Sequence, residues 1–261
     1  MAISRLYADG VTDIALKFSR HVPLDGCFNF RDLGGYRTSD GRWTRPERLY
    51  RADGPHALTE NDAVILRRLG LATVIDLRTA EEVDQRGCYA SVVSDVVEYH
   101  LPMLDVVPDV AELPSWIDPS FTARRYREML EKGRNAIAEV LAILTDPSAY
   151  PAMFHCSAGK DRTGLIAAVV LGIAGVPDDA IVSDYALSAA PMRRLMDHYV
   201  ATYPDAVDQL ERVAAAMLAA DPFAMSLLIQ ELRSEYGSFT GYAHAIGVGS
   251  APEYIRDHIL V

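Results

Sequence analysis

The sequence predicts an α/β fold, a central mostly parallel sheet flanked by helices, and three observations carry that expectation. Short apolar segments alternate with longer helix-patterned ones along the 261 residues, the order that a parallel sheet with crossover helices requires. One short segment, Tyr150 to His155, runs into a glycine-bearing loop and then into the apolar stretch Leu165 to Val176, a strand, loop, helix junction. Hydrophobic residues make up 50% of the chain, enough for one large core, so residues 1–261 are expected to form a single domain with one insertion.

Taken in order, Leu49 to Arg51 is a short strand, and Thr59 starts a helix because Thr59-x-x-Asp62 is a capping signal. Leu71 to Leu77 and Val96 to Leu101 follow as strands. Helices are expected to begin at Phe121 and Asn135, then at Arg162 after the buried strand Tyr150 to His155, and at Asp178, which follows Pro177. No internal repeat or low-complexity linker interrupts this order.

Composition narrows the function classes. The 36 acidic residues outnumber the 25 basic ones for a net charge of −11, which argues against a nucleic-acid partner and against adhesion to anionic membranes. Any basic patch must be local. The three cysteines, Cys27, Cys88 and Cys156, are odd in number and far apart, so a reducing compartment is expected rather than a disulfide framework. Cys27 or Cys88 could shield Cys156 in a reversible disulfide, but burial as a small apolar residue is the commoner fate. Met1 to Gly10 has no apolar core of signal-peptide length, and Leu165 to Val176 is too short to span a bilayer. A cytoplasmic location without stable membrane insertion is the expectation, with export by a signal-less route left open.

The run His155-Cys156-Ser157-Ala158-Gly159-Lys160-Asp161-Arg162-Thr163-Gly164 places a cysteine and an arginine six positions apart in a loop that opens a helix. Backbone N–H groups from Ser157 to Arg162, together with the positive end of a helix dipole, suit a phosphate dianion. The planar fork of Arg162 can grip two of its oxygens. The same surroundings favour a thiolate at Cys156, which could attack phosphorus and leave a cysteinyl-phosphate for water to hydrolyse, with no metal or other cofactor required. The plainer alternative for Cys156 is a small buried hydrophobe. Rival motifs fail on their letters. A nucleotide-binding loop ending at Gly159-Lys160 needs Ser or Thr at Asp161 and glycine at Phe154, and a dinucleotide fingerprint at Gly247 and Gly249 needs glycine at Pro252. No His-Glu-x-x-His or paired Cys-x-x-Cys spacing offers a metal cage.

These residues resemble the Cys-x5-Arg-Ser/Thr signature of the protein tyrosine and dual-specificity phosphatases. The Lys-Asp-Arg ending is similar to a bacterial group of them that includes a mycobacterial secreted enzyme. Asn29 to Tyr36, Leu49 to Ala52, Thr73 to Arg78 and Glu235 to Ser238 look like that group's other shared segments, and together they cover most of residues 25–245. The resemblance implies a tyrosine-phosphatase-like fold, with Cys156 as nucleophile, Arg162 as clamp, Thr163 bonded to the sulfur to help it leave, and His155 shaping the loop. It implies a metal-independent phosphomonoesterase acting on phosphotyrosine proteins, with phosphoserine or phosphothreonine and phosphoinositides as further candidates. The alternative from a different class is a phospho-ligand binding module without turnover.

Three aspartates compete to be the general acid that the leaving group needs. Asp161 is first by the resemblance. Asp105 lies 51 residues before the cysteine, where ordinary tyrosine phosphatases carry a mobile-loop acid. Asp76 ends a strand at the edge where open α/β sheets bind ligands, and could equally be a carboxylate paired with Arg78 or Arg51. Lys160 is one of only three lysines against 22 arginines; it is either a second cation for a substrate with extra negative charge, as in tensin-homologue lipid phosphatases, or a solvated loop residue. Residues 188–236 exceed what a minimal phosphatase needs; the spacing of Met192, Leu195, Tyr199, Leu210, Met217 and Leu228 marks amphipathic helices, and the resemblance to the mycobacterial group implies that they form a helical lid over Cys156. Ordinary packing against the sheet is the alternative.

Overall fold

The computed structural model describes residues 20–87, 96–104, 115–202 and 218–261. Its sheet has the strand order β1-β2-β5-β3-β4. The strands are β1 (Arg31–Asp32), β2 (Leu49–Ala52), β3 (Thr73–Asp76), β4 (Val97–His100) and β5 (Ala152–His155). β1 is antiparallel to β2, and the other three pairings are parallel. The four expected strands are present with shifted ends, while two-residue β1 carries no pattern that would announce it. β2 and β5 are buried throughout, as central parallel strands are, with Arg51 and His155 enclosed among their apolar residues.

Register brings the site together. His155, the last residue of β5, sits opposite Ala52 of β2 on one side and Asp76 of β3 on the other. Asp53, Leu77 and Cys156 therefore leave the sheet side by side at its carboxyl edge, where open α/β sheets bind ligands.

The helices start where their caps dictate. Thr59 and Asp62 form a reciprocal capping box at α1 (Glu60–Leu69), and Gly70 ends it in the left-handed region. Thr79 and Glu82 do the same for α2 (Ala80–Arg86). Then come α3 (Pro119–Lys132), α4 (Arg134–Ile143), α5 (Asp161–Ala174) and α6 (Asp178–Ala186). The C-terminal part holds α7 (Ala189–Thr202), α8 (Pro222–Tyr236), α9 (Phe239–Ala245) and α10 (Ala251–Ile259). α5 is apolar on every side because it is central: nearly all of it is buried, against the sheet, α6, α9 and α10. The Phe239 ring of α9 lies where a side chain at Gly172 would stand, so only glycine lets the two meet. Each buried Leu or Ile here contributes roughly 1.5–3 kcal/mol of transfer free energy.

The two alternatives for residues 188–236 divide between helices. α8 packs along α3 and α6, burying Met225, Leu228, Ile229 and Leu232, which is ordinary core packing. α7 instead turns Met192, Leu195 and Tyr199 onto Phe28, Ala158 and Leu218, against the loop that follows β5. Leu210, Val213 and Met217 lie outside the described residues, as does Cys88. Among those described, no helix is long and apolar enough to cross a membrane.

Candidate active site

The loop after β5 is held by its carbonyls. The Ser157 carbonyl accepts from the Gly54 N–H (3.0 Å), the Ala158 carbonyl from Asn29 Nδ2 (3.1 Å), and the Gly159 carbonyl from both Asn29 Nδ2 (3.0 Å) and Arg51 Nη2 (2.7 Å). In a planar trans peptide the next N–H points opposite its carbonyl. With these carbonyls bonded to the scaffold, the N–H groups of Ala158, Gly159 and Lys160 point away from those contacts. Gly159 has φ +66°, and a Cβ there would lie 2.5 Å from the Ala52 carbonyl oxygen, so this step admits only glycine. α5 begins at once with no side-chain cap from Lys160, so its first-turn donors are not taken by a capping side chain.

Arg162, one residue into α5, folds back over this loop and is nine-tenths buried. Its guanidinium makes a two-pronged bond to Glu82, Nη1 to Oε2 at 2.5 Å and Nη2 to Oε1 at 2.7 Å, and Ser157 Oγ donates to the same carboxylate at 2.5 Å. Cys156 is only 2% exposed. A buried thiol, a guanidinium held by Glu82 and a loop whose carbonyls are tied to the scaffold thus meet at a helix N-terminus.

The profile of the tyrosine phosphatase family matches residues 22–261. The chain belongs to that family. A Cupriavidus necator protein assigned to the tyrosine-protein phosphatases is 31% identical over 249 residues, covering 93% of this chain and 85% of the relative. The triple specificity protein phosphatase PtpB of Mycobacterium tuberculosis is 29% identical over 270 residues, 87% of this chain and 94% of PtpB. Among solved structures, the core catalytic domain of the PP-IP phosphatase SIW14 from S. cerevisiae overlaps 74% of this chain at 19% identity, with a TM-score of 0.38.

Glu82 is the residue of this phosphatase that sequence reasoning missed. Its signal was present, since Thr79-Ala80-Glu81-Glu82 is a capping box directly after a strand, and the box is made. Nothing local discloses that the same carboxylate also orients Arg162. Burial pushes the Glu82 carboxyl up, but Arg162, Ser157 and the Thr79 N–H outweigh it and bring it down to about 2. The contribution of the pair is therefore complete above the ordinary carboxylate value and lost only as pH falls through about 2. Glu82→Gln is expected to keep the cap and lower kcat/KM by about 10- to 100-fold, because a clamp released by about an ångström loses that much. Unchanged steady-state kinetics would show that the clamp positions itself.

Beneath the loop lies a buried charge cluster. Asp184 accepts from Arg51 Nη1 (2.6 Å), Arg31 Nε (3.1 Å) and Tyr36 Oη (2.9 Å), and all four residues are buried. Burial opposes the ionised carboxylate, but Arg31, Arg51 and Tyr36 hold it well below the usual range. Arg31 also donates to the side-chain oxygen of Asn29, whose nitrogen serves the loop. The shared segments Asn29 to Tyr36 and Leu49 to Ala52 are thus the loop's foundation. Two guanidiniums against one carboxylate leave a surplus positive charge under the loop.

The remaining candidates separate clearly. Asp76 is spent on Arg78, which donates through Nε and Nη2 (3.0 and 2.6 Å) and its own N–H. Burial raises that carboxyl, but His155 and Arg78 lower it further, and with His155 neutral Arg78 carries the effect. Asp105 lies outside the described residues. Thr163 is wholly buried, and its hydroxyl has no partner among the described residues; the bond to sulfur that the resemblance implies is not made in this structure. Lys160 is not a solvated loop lysine: it is 4% exposed, donates to the Ala219 carbonyl at 2.8 Å and stands 3.7 Å from Asp161 Oδ1. Asp161, a quarter exposed, takes a short hydrogen bond from the Tyr126 hydroxyl. Cys27 is buried and donates its thiol to Asp53 (2.8 Å) rather than forming a disulfide. Among the described residues no cluster of His, Cys, Asp and Glu is placed to hold a metal ion.

His155 is buried beside the loop, with Nδ1 donating to the Cys156 carbonyl at 3.3 Å and standing 3.8 Å from Asp76 Oδ1. Burial, above all, lowers both His155 and His56 to about 4. The unfolded chain binds those protons near 6.5, so it gains them first as pH falls. Stability is expected to drop from pH 6.5 to about 4, on the order of 1 kcal/mol per pH unit for His155. Thermal melts of the parent and His155→Gln between pH 7.5 and 5 check this; parallel curves would contradict it.

Proposed function

We propose that the chain hydrolyses phosphomonoesters through a cysteinyl-phosphate. The ester's phosphate enters a cup formed by the N–H groups of Ala158, Gly159 and Lys160 and the Arg162 fork. Cys156 Sγ attacks phosphorus in line as the P–O bond to the leaving group breaks, and Asp161 gives that oxygen its proton. Water then attacks the phosphoenzyme and returns a proton to Asp161, inorganic phosphate leaves, and the sulfur departs as thiolate. The buried Thr163 hydroxyl has unused capacity to donate to it. The transferring phosphoryl spreads its charge over the equatorial oxygens, which is where preformed amide and guanidinium donors lower the barrier most. The observation carrying this reading is the anchoring of the loop carbonyls by Asn29, Gly54 and Arg51, which leaves the amides turned away from the scaffold.

Rapid-quench kinetics with p-nitrophenyl phosphate test it. A burst of p-nitrophenol matched by acid-trapped phosphate on Cys156 is expected, whereas phosphate binding with neither burst nor turnover would favour the binding module. The substrates we propose are phosphotyrosine proteins first, with phosphothreonine and phosphoinositides beside them because a buried Lys160 ammonium adjoins the cup. That PtpB is named for triple specificity supports comparing the three classes by kcat/KM.

The same reading makes α7 a cover. Phe28, Met192, Leu195 and Tyr199 close over Ala158, and Cys156 is nearly inaccessible. On this reading a phosphoprotein reaches the sulfur by displacing this helix. Limited proteolysis within α7 that is suppressed by a bound phosphate analogue supports the idea; equal cleavage with and without it would count against a moving cover.

A further inference from the structure

Two tyrosines that the chemistry has so far left unused stand behind Asp161. Tyr126 of α3 and Tyr185 of α6 are buried, and their hydroxyls are 2.6 Å apart. The Tyr126 hydroxyl also donates to Asp161 Oδ1. Aromatic rings packed edge to face, centroids 6.0 Å apart, fix the pair, with Trp116 edge-on to Tyr126 from the other side. Two hydroxyls sealed in an apolar wall are costly to keep unless their bonds do something that a pair of phenylalanines would not.

We propose that Tyr126, polarised by Tyr185, is the positioning residue of the acid, holding Oδ1 so that Oδ2 carries the travelling proton. The inference rests on Asp161 being that acid. Tyr126 and Lys160 both approach Oδ1. With Oδ1 anchored, the carboxyl cannot spin, and one oxygen keeps a constant relation to the leaving group. The bond also changes strength during the reaction. Before transfer Tyr126 donates to the carbonyl oxygen of a neutral acid; as the Oδ2–H bond breaks and the leaving group takes the proton, it donates to a carboxylate, a stronger charge-assisted bond. Stabilisation that grows along the reaction lowers the barrier rather than merely tightening the ground state. When water attacks the phosphoenzyme, its proton returns to Oδ2 and the sequence reverses.

Tyr185 adds to this by donating into the Tyr126 oxygen, which makes Tyr126 the better donor. Burial, first of all, and the nearby Asp161 charge raise both phenols far above their ordinary value, so they remain neutral donors throughout the working range. Among the described residues, the groups facing Asp161 are Lys160 and Arg162 on its own helix start, Tyr126 from α3 and Tyr185 from α6, with Asp221 beyond Tyr185. Lys160 and Arg162 remain in any tyrosine variant, so removing the phenol isolates its effect.

The test compares Tyr126→Phe, Tyr185→Phe and Asp161→Asn on a series of aryl phosphates of rising leaving-group pKa, with full pH profiles. Tyr126→Phe is expected to slow phenyl phosphate about 10-fold while sparing p-nitrophenyl phosphate, and to move the alkaline limb of kcat/KM to higher pH. Tyr185→Phe should do the same on a smaller scale, which provides a readout should Tyr126→Phe fail to fold. In an Asp161→Asn background Tyr126→Phe should cost nothing further, because it acts only through that carboxyl. Equal slowing of every substrate with an unmoved limb, or the same loss in both backgrounds, would make Tyr126 a packing residue and overturn the proposal while Asp161 keeps its role. An Asp161→Asn enzyme with unaltered leaving-group dependence would overturn the acid assignment and this proposal with it.

Discussion

Cys156→Ser is expected to abolish turnover of p-nitrophenyl phosphate, by about 10⁴-fold or more, with no loss of fold. The reasoning is chemical rather than steric. A serine oxygen is smaller than sulfur and fits the 2%-exposed site, but at neutral pH it is a protonated alcohol where attack needs an anion. His155 is not placed to activate it, because Nδ1 is turned to the Cys156 carbonyl and the Asp76 side and burial disfavours the imidazolium it would become, and in the proposed first step Asp161 is already the protonated acid. The amides, Arg162 and Glu82 are untouched, so the variant should still bind phosphate. Retained binding with lost turnover separates a missing nucleophile from a collapsed cup. Steady-state assay, phosphate titration and a thermal melt measure the three quantities, and residual activity near that of the parent would place the nucleophile elsewhere.

Asp184→Ala is expected to destabilise the protein by about 3–5 kcal/mol, the cost of removing one partner from a buried ion pair. Here the consequence is doubled. Arg31 and Arg51 are both fully enclosed, and without Asp184 two positive charges face each other with only neutral oxygens to hold them. Burial and Arg31 already lower Arg51 to about 10, so removing the Asp184 charge further disfavours its guanidinium in the core. Arg51 cannot move without releasing the Gly159 carbonyl, so activity should fall ahead of global unfolding. Urea denaturation read beside activity checks this. A variant less than about 1 kcal/mol below the parent would mean that solvent reaches the cluster.

The chemistry of this phosphatase was largely legible because it is contiguous. A thiol, its amides and its guanidinium occupy positions 156–162, and the strand before and helix after them follow from apolar pattern alone. Asp161 came from the same run. The support was not legible, and the residues say why. Glu82 reaches Arg162 across 80 positions, Asn29 reaches Gly159 across 130, and Asp184 reaches Arg51 across 133. Local signals extend over a few residues, so they could name Thr79-x-x-Glu82 as a cap and Asp76 as a strand end without saying which partner each would meet. Lys160 fails as a surface lysine for the same reason, since the carbonyl that takes its charge belongs to Ala219.

Residue order carried the α/β class through periodicity and the family through its resemblance, and it names Cys156 and Arg162 as the proposed nucleophile and clamp because that chemistry lies within one short stretch. That Glu82 is the carboxylate bonded to Arg162, that Asp76 is tied up by Arg78, that Tyr126 meets Asp161 and that α7 packs against Ala158 were decided by tertiary structure. The physical reason is the placement of β5 between β2 and β3: that order sets Ala52, His155 and Asp76 abreast, and every long-range partner of the loop arrives on a segment leaving that edge.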